Sequence, residues 1–389
     1  MSRRRVLLLR LATAALATLL GLAVAEALAR GVYAEDFLVL VDPYEGHPYR
    51  PGQELRQTWG QSVYTVCTNS LGWKDRCPGR QVALDASPRT RVVLLGDSFT
   101  EGIGFPEERT VSGFAGAALE DGFEVLNGGR VSYSPILELQ RLKRFFAAGH
   151  RADVVVLLLD LSDVQDEVSY SSRYLFAADG EPLRFQGGPY GLFWRGLYNH
   201  SALARGLKRR IEREQEAEPG AGVLPASDSP LTARDLLALP AGAQALLRSC
   251  WMFHPPSLEG WVQEGFRSLA ANVGRIQRLA GAHGARLLVV IYPWPHLLGT
   301  RDDPGRCRAL RARSPERVQG KELASEYRRR IGELCRSRSL PLLDLTPDFQ
   351  RAPRREELFL PGDVHFSEAG NRLAGERIAA AVRRLSSRR

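Results

Sequence analysis

Lysine is nearly absent from this chain: only Lys74, Lys143, Lys208 and Lys321 stand among 53 basic residues. The formal net charge of +9 is therefore an arginine bias, which a GC-rich coding sequence produces without any phosphate-binding surface. No zinc-finger or RNA-recognition signature accompanies it, so nucleic acid is not expected as a partner. A basic surface beside a membrane or an acidic polysaccharide is the better use of such charge. No internal repeat is present, which excludes solenoids and propellers. No G-x-S-x-G occurs around Ser98, where Thr100 takes the second glycine's place, which excludes the α/β-hydrolase elbow. Cysteine is sparse, with five residues. Cys67 and Cys77 flank a turn-like segment, and Cys307 and Cys335 bracket a predicted helix. Both pairs could close and leave Cys250 free, or all five could be thiols, since connectivity is not readable from spacing.

What is present begins at the N-terminus. Arg3, Arg4 and Arg5 precede an apolar run whose uncharged part, Leu11 to Ala25, is fifteen residues long. A membrane span takes about 20 residues, and Arg10 can snorkel towards headgroups while Glu26 sits near the opposite interface. A signal-anchor helix over residues 1–30 is expected, its positive end cytoplasmic and the remainder of the chain exported. Ala23-Val24-Ala25 also suits signal cleavage, and that route exports the protein too.

Residues 31–88 are rich in glycine, proline and aromatics and read as an irregular or hairpin-forming segment. A βα alternation follows over residues 89–388. Its predicted strands are Arg91–Leu95, Phe123–Asn127, Asp153–Leu159, Arg286–Tyr292 and Leu340–Leu345. Helices are predicted at Val111–Leu119, Ile136–Ala147, Phe266–Ala282, Lys321–Arg336 and Glu368–Leu385. The expected fold is a three-layer α/β domain on a five-stranded parallel sheet. A long insertion, about 168–258, follows the third strand, where a lid or substrate wall commonly sits.

Ligands gather at the carboxyl ends of such strands, and three of these ends carry polar chemistry. Gly96-Asp97-Ser98 follows the first strand. A serine there can act as a nucleophile once a base takes its proton, or simply cap the next helix. Asp363-Val364-His365 precedes the last helix and offers both a base and a carboxylate to orient it. Asp160, Ser162, Asp163, Asp166 and Glu167 follow the third strand. They read as a solvated acidic loop, with a divalent metal as the alternative.

In these blocks the chain resembles the SGNH/GDSL hydrolase superfamily, from about residue 64 to 380 with the insertion not covered. Gly96-Asp97-Ser98 matches its first block, and Asp363 with His365 its last. The segment Val125 to Pro135 is similar to its second block, and Tyr64 to Asp75 to the lead-in of membrane-anchored bacterial members. The Asp-x-His spacing resembles that of exopolysaccharide O-acetyltransferases, where most members have Asp-x-x-His. The resemblance implies a flavodoxin-like fold, with Ser98 as nucleophile, His365 as base and Asp363 as its orienter. It places the second-block oxyanion donor at Ser132, or at Gly129 if the loop is shifted. The third-block asparagine falls at Ser162.

The expected function is a serine esterase or O-acyltransferase acting on ester groups, O-acetyl above all, of an extracytoplasmic carbohydrate. No cofactor or metal is expected, and the oligomeric state is open. Trp294, Trp194, Tyr198 and Trp251 are candidate sugar-stacking residues, although aromatics are more often core. Two alternatives stand beside this reading. One is a non-catalytic assembly component of an envelope polysaccharide system. The other is a secreted lipase or thioesterase, against which the insertion's lack of a long apolar stripe argues.

Overall fold

A computed structural model describes residues 2–33, 38–216, 231–251, 260–298 and 323–387. Most of the predicted loop from Glu216 to Pro230 lies outside the described residues, as does Cys307.

Among the described residues the strands are β1 (Glu54–Trp59), β2 (Ser62–Thr68), β3 (Lys74–Asp75), β4 (Thr90–Leu95), β5 (Phe123–Asn127), β6 (Val154–Leu159), β7 (Tyr174–Phe176), β8 (Pro182–Phe185), β9 (Arg286–Ile291) and β10 (Leu342–Asp344). Five of them form a parallel sheet in the order β5-β4-β6-β9-β10, which is the flavodoxin-like arrangement. Every residue of β6 is buried, because parallel strands are covered by helices on both faces. One face carries the helices Val111–Leu119 and Glu368–Ser386, packed on each other. The helices Pro135–Ala147, Asp163–Ser171 and Trp261–Ala282 pack together as a second group.

Eight strands, not five, make up the sheet. The segment before residue 89 adds β1, β2 and β3 as an antiparallel meander, joined to the parallel core where Lys74 pairs with Asn127. The hairpin-forming alternative for this segment is the one that holds for β1 and β2, which pair antiparallel from Glu54–Cys67 to Trp59–Ser62. The Cys67–Cys77 disulfide closes this meander.

The remaining thiols depart from the expected pairing. Cys335 is free and buried on the inner face of the helix Leu323–Ser337, with its pKa pushed up to about 11 by burial. Cys250 is the disulfide-bonded residue, and its partner lies outside the described residues.

The insertion after the third strand is mostly regular. It holds the β7–β8 hairpin and the helices Leu192–His200, Ala202–Glu216, Ala233–Ala238 and Ala241–Cys250. The acidic stretch before it is not a solvated loop. Asp163 to Ser171 is a helix, and Asp160, Asp163, Asp166 and Glu167 are all buried.

Candidate active site

The turn after β4 is built for close approach. A Cβ on Gly96 would lie 2.1 Å from the Thr100 hydroxyl, so only glycine fits this junction. Asp97 caps the four-residue helix Ser98–Glu101 by accepting the Phe99 N–H at 2.9 Å. Ser98 is the first helical residue, and its hydroxyl is free of the capping role.

Residues Leu360-Pro361-Gly362-Asp363 form a tight turn. The Asp363 N–H donates to the Leu360 carbonyl at 3.1 Å, with Gly362 at φ +67° behind the proline. The Phe359–Phe366 bridge clasps the base of this loop. The His365 imidazole comes to lie with Nε2 2.8 Å from Ser98 Oγ and Nδ1 2.7 Å from Asp363 Oδ1. Three residues proposed from two distant blocks therefore meet in one hydrogen-bonded line. Asp363 also accepts the backbone N–H groups of Val364 and His365, at 2.6 and 3.2 Å, and the Trp59 indole N–H at 2.8 Å. Burial raises the Asp363 pKa, but the bonds from His365 and Trp59 and the imidazole's charge outweigh it and hold it well below the carboxylate range. Phe99 packs on the imidazole at 4.8 Å between ring centroids, and Trp59 meets it edge-on at 5.5 Å.

Beneath Ser98 the short helix is tied down by charge. Glu101 is fully buried and accepts the Tyr49 hydroxyl at 2.5 Å, Arg130 Nη1 at 3.0 Å and the Val131 N–H at 2.7 Å. Burial raises its pKa, but Arg130 and Lys74 reverse this and keep it ionised. Lys74 donates to the carbonyls of Gly102 and Phe105 at 2.9 and 2.6 Å.

The second-block loop is locked to this helix as well. Gly129 donates its N–H to Asn127 Oδ1 at 3.0 Å, and a Cβ there would sit 2.3 Å from the Glu101 nitrogen. Gly129 is thus a close-packing position with its N–H already used, and it does not line the cleft. Ser132 takes φ +58°, the left-handed conformation that favours glycine. Its carbonyl accepts the Tyr170 hydroxyl, and its N–H has no acceptor among the described residues.

Ser98, His365 and Asp363 open onto a polar cleft of about 260 Å³, lined also by Asp97, Asp160, Ser162, Arg248, Trp59 and Trp294. Ser162 is not free to point into it: its hydroxyl donates to Asp160 Oδ2 at 2.5 Å, and its N–H reaches the same oxygen at 3.2 Å. Asp160 Oδ1 takes the Trp294 indole N–H at 2.5 Å. Trp294 is buried with its polar edge used, and Trp251 is core, donating to the Leu161 carbonyl. Trp194 and Tyr198 stack on each other and do not line the cleft.

Behind this wall lies a surplus of acid. Asp97, Glu138 and Asp163 are fully buried, and both Glu138 oxygens lack a hydrogen-bond partner among the described residues. Burial, and then the charge of neighbouring acids, pushes all three well above the usual carboxylate range. Among the described residues no three His, Cys, Asp or Glu side chains converge as a metal site.

Two cleft residues escaped the motif reading. Trp59 comes from β1, far from any block, and Arg248 from the insertion helix Ala241–Cys250. The Arg248 Nε and Nη2 both donate to Asp166 Oδ2, fixing a guanidinium at the cleft wall. A lone arginine on an amphipathic helix carries no signal in sequence.

The profile of the GDSL-like Lipase/Acylhydrolase family matches residues 94–373 of the chain. No curated protein matches it. Similar solved structures include an aryl esterase of M. smegmatis at 14% identity, covering 76% of this chain and 99% of that one with a TM-score of 0.39. Est24, a carbohydrate acetylesterase from Sinorhizobium meliloti, is similar at 15% identity, covering 76% and 100% with a TM-score of 0.38. A lipase/acylhydrolase from Enterococcus faecalis is similar at 15%, covering 76% and 96% with a TM-score of 0.38.

Proposed function

The chain belongs to the GDSL-like lipase/acylhydrolase family, a family of ester-hydrolysing enzymes, and we propose that it removes or transfers small acyl groups, O-acetyl above all, on an extracytoplasmic carbohydrate. The observation that carries this is the line Ser98 Oγ–His365 Nε2–His365 Nδ1–Asp363. Ser98 Oγ attacks the ester carbonyl while His365 Nε2 takes its proton, and Asp363 holds Nδ1 and steadies the imidazolium. The tetrahedral intermediate collapses, His365 protonates the leaving alcohol, and Ser98 keeps the acyl group. Water or a sugar hydroxyl, activated by the same imidazole, then removes it.

The negative charge on the intermediate's oxygen needs donors. The Ser98 backbone N–H is one, and the family pattern offers the Ser132 N–H as a second, unpaired among the described residues although Ser132 does not itself line the cleft. With the Ser162 hydroxyl turned to Asp160, the third position passes to Arg248, whose charge faces the cleft on a mount fixed by Asp166. A small, polar-lined cleft favours a short acyl group on a hydrophilic alcohol over a long-chain lipid.

The N-terminal helix Arg3–Val32 contains an 18-residue window of mean hydropathy 2.1, with none of it buried. This favours a membrane-anchored enzyme facing outwards by the positive-inside rule.

Turnover of p-nitrophenyl acetate by the full chain, compared with Ser98→Ala and His365→Ala, tests the chemistry. Acetate release from an acetylated polysaccharide, with or without transfer to a second glycan, then tests the substrate class. A wild-type chain that neither turns over nor is labelled at Ser98 by a fluorophosphonate would leave a binding component as the reading.

A further inference from the structure

The insertion carries an apolar surface that the cleft does not use. On the helix Leu192–His200, Leu192 is 79% exposed, Phe193 74% and Trp194 48%, with Leu197 beside them. Leu203 and Leu207 continue the apolar surface on the next helix, Ala202–Glu216. Clustered exposed side chains of this size mark an interaction surface.

Its position says what covers it. The junction of the two helices is fastened to the outer end of the N-terminal helix. Glu26 accepts the Ser201 hydroxyl at 2.8 Å and the N–H groups of Ala202 and Leu203 at 2.9 and 3.2 Å. Arg30 donates to the His200 carbonyl, and the Tyr33 ring lies against Gly206, where a Cβ would come within 2.3 Å of it. Glu26 directly follows the uncharged run Leu11–Ala25, so it stands where a span would leave the hydrocarbon. One turn of helix is about 5.4 Å, which puts the junction within the headgroup layer.

Composition agrees with that depth. Residues 192–210 hold Arg195, Arg205, Lys208, Arg209 and Arg210 and no Asp or Glu. Basic residues flanking Trp, Phe and Leu are what an interfacial helix presents to anionic lipid.

We propose that Leu192–His200 and the start of Ala202–Glu216 lie in the outer interface of the anionic bilayer that the N-terminal helix crosses. The inference rests on the anchored reading above. With the anchor and the insertion both seated in lipid, the domain meets the bilayer at two places. Its tilt is then set, and the cleft is held at one height above the surface.

The test uses the full chain in vesicles of phosphatidylglycerol and phosphatidylethanolamine, with lipids brominated near the headgroup. Trp194 emission, taken as wild type minus Trp194→Phe, is expected to be quenched by bromine and sheltered from aqueous iodide. Phe193→Glu should lose most of that quenching while p-nitrophenyl acetate turnover is unchanged. Iodide quenching of Trp194 in a chain that resists an alkaline wash overturns the docking and leaves the anchor standing. A Trp194 sheltered from iodide yet untouched by bromine overturns the lipid assignment, because a protein surface would be covering it. A chain stripped from the vesicles by alkali overturns the anchored reading, and this inference with it.

Discussion

The two walls of the cleft solve the problem of buried charge in opposite ways. On the nucleophile wall each buried ion has partners: Glu101 meets Arg130, Tyr49 and Val131, and Lys74 meets two carbonyls. On the opposite wall Glu138, Asp160 and Asp163 crowd together near Asp97 of the first, and Arg248 is the basic residue that lines the cleft there. The first wall is rigid because it is satisfied. On the second, burial and neighbouring acids push Glu138 and Asp163 above the usual carboxylate range, and the positive charge is borrowed from the insertion. In the proposed mechanism, proton transfer therefore rests on family-pattern residues, whereas the third oxyanion donor comes from a segment outside the pattern.

The sharpest way to break the comparison is at its shared centre. Ser98→Ala or His365→Ala should cut p-nitrophenyl acetate turnover by about 10⁴-fold or more, since triad members act as a unit. Next comes the borrowed charge: Arg248→Gln should lower kcat by about 10²-fold, the usual loss for one oxyanion donor. Ser162→Ala should cost much less if its hydroxyl serves Asp160. A larger loss at Ser162 than at Arg248 would return the third-block role to the serine.

Trp59→Phe removes one bond to an ionised carboxylate, a change of about 1.5–3 kcal/mol. It should lower kcat/KM roughly tenfold and leave KM nearly unchanged. Asp363 has a depressed pKa in the folded chain, so its stabilising contribution is complete above about pH 4 and fades as pH falls further. Thermal unfolding in acid should show a shallower loss in Trp59→Phe than in wild type.

The smallest effect concerns the acid-rich wall. Folded Asp97, Glu138 and Asp163 hold protons that the unfolded chain releases near pH ~4, so stability drains away as pH rises above that value. Glu138→Met should flatten this slope and stabilise the fold by about 1–3 kcal/mol at neutral pH, read as a higher Tm. An unchanged slope would place the excess protons elsewhere.

Legibility in sequence followed the same division. Strands β4, β6 and β9 stood out because buried parallel strands read as near-continuous apolar runs, and β5 by its place in the βα alternation. Gly96-Asp97-Ser98 and Asp363-Val364-His365 were readable because each is a local turn with its own residue demands. The acidic stretch was misread as loop because charge in sequence suggests solvent, and only the packed helices reveal that Glu167 is consumed by Ser134, Ile136, Ser268 and Asn272. Arg248 and Trp59 were invisible, since each reaches the cleft across a sequence gap that no periodicity spans. Of the two cysteine pairs offered by spacing, Cys67–Cys77 is closed, while Cys335 is a free buried thiol on its helix and Cys250 is the one that is bonded.

The meander closed by Cys67 and Cys77 has a consequence in time as well as in space. Lys74 sits inside that ten-residue span and grips the carbonyl of Gly102, which ends the helix carrying Ser98, and that of Phe105 in the loop after it. Closing a loop of this length restrains the unfolded chain by about 3 kcal/mol. A freshly made chain in a reducing environment therefore holds its nucleophile on an unstapled support. Reducing and re-forming this one disulfide would then loosen and restore the support of Ser98 without touching the cleft itself.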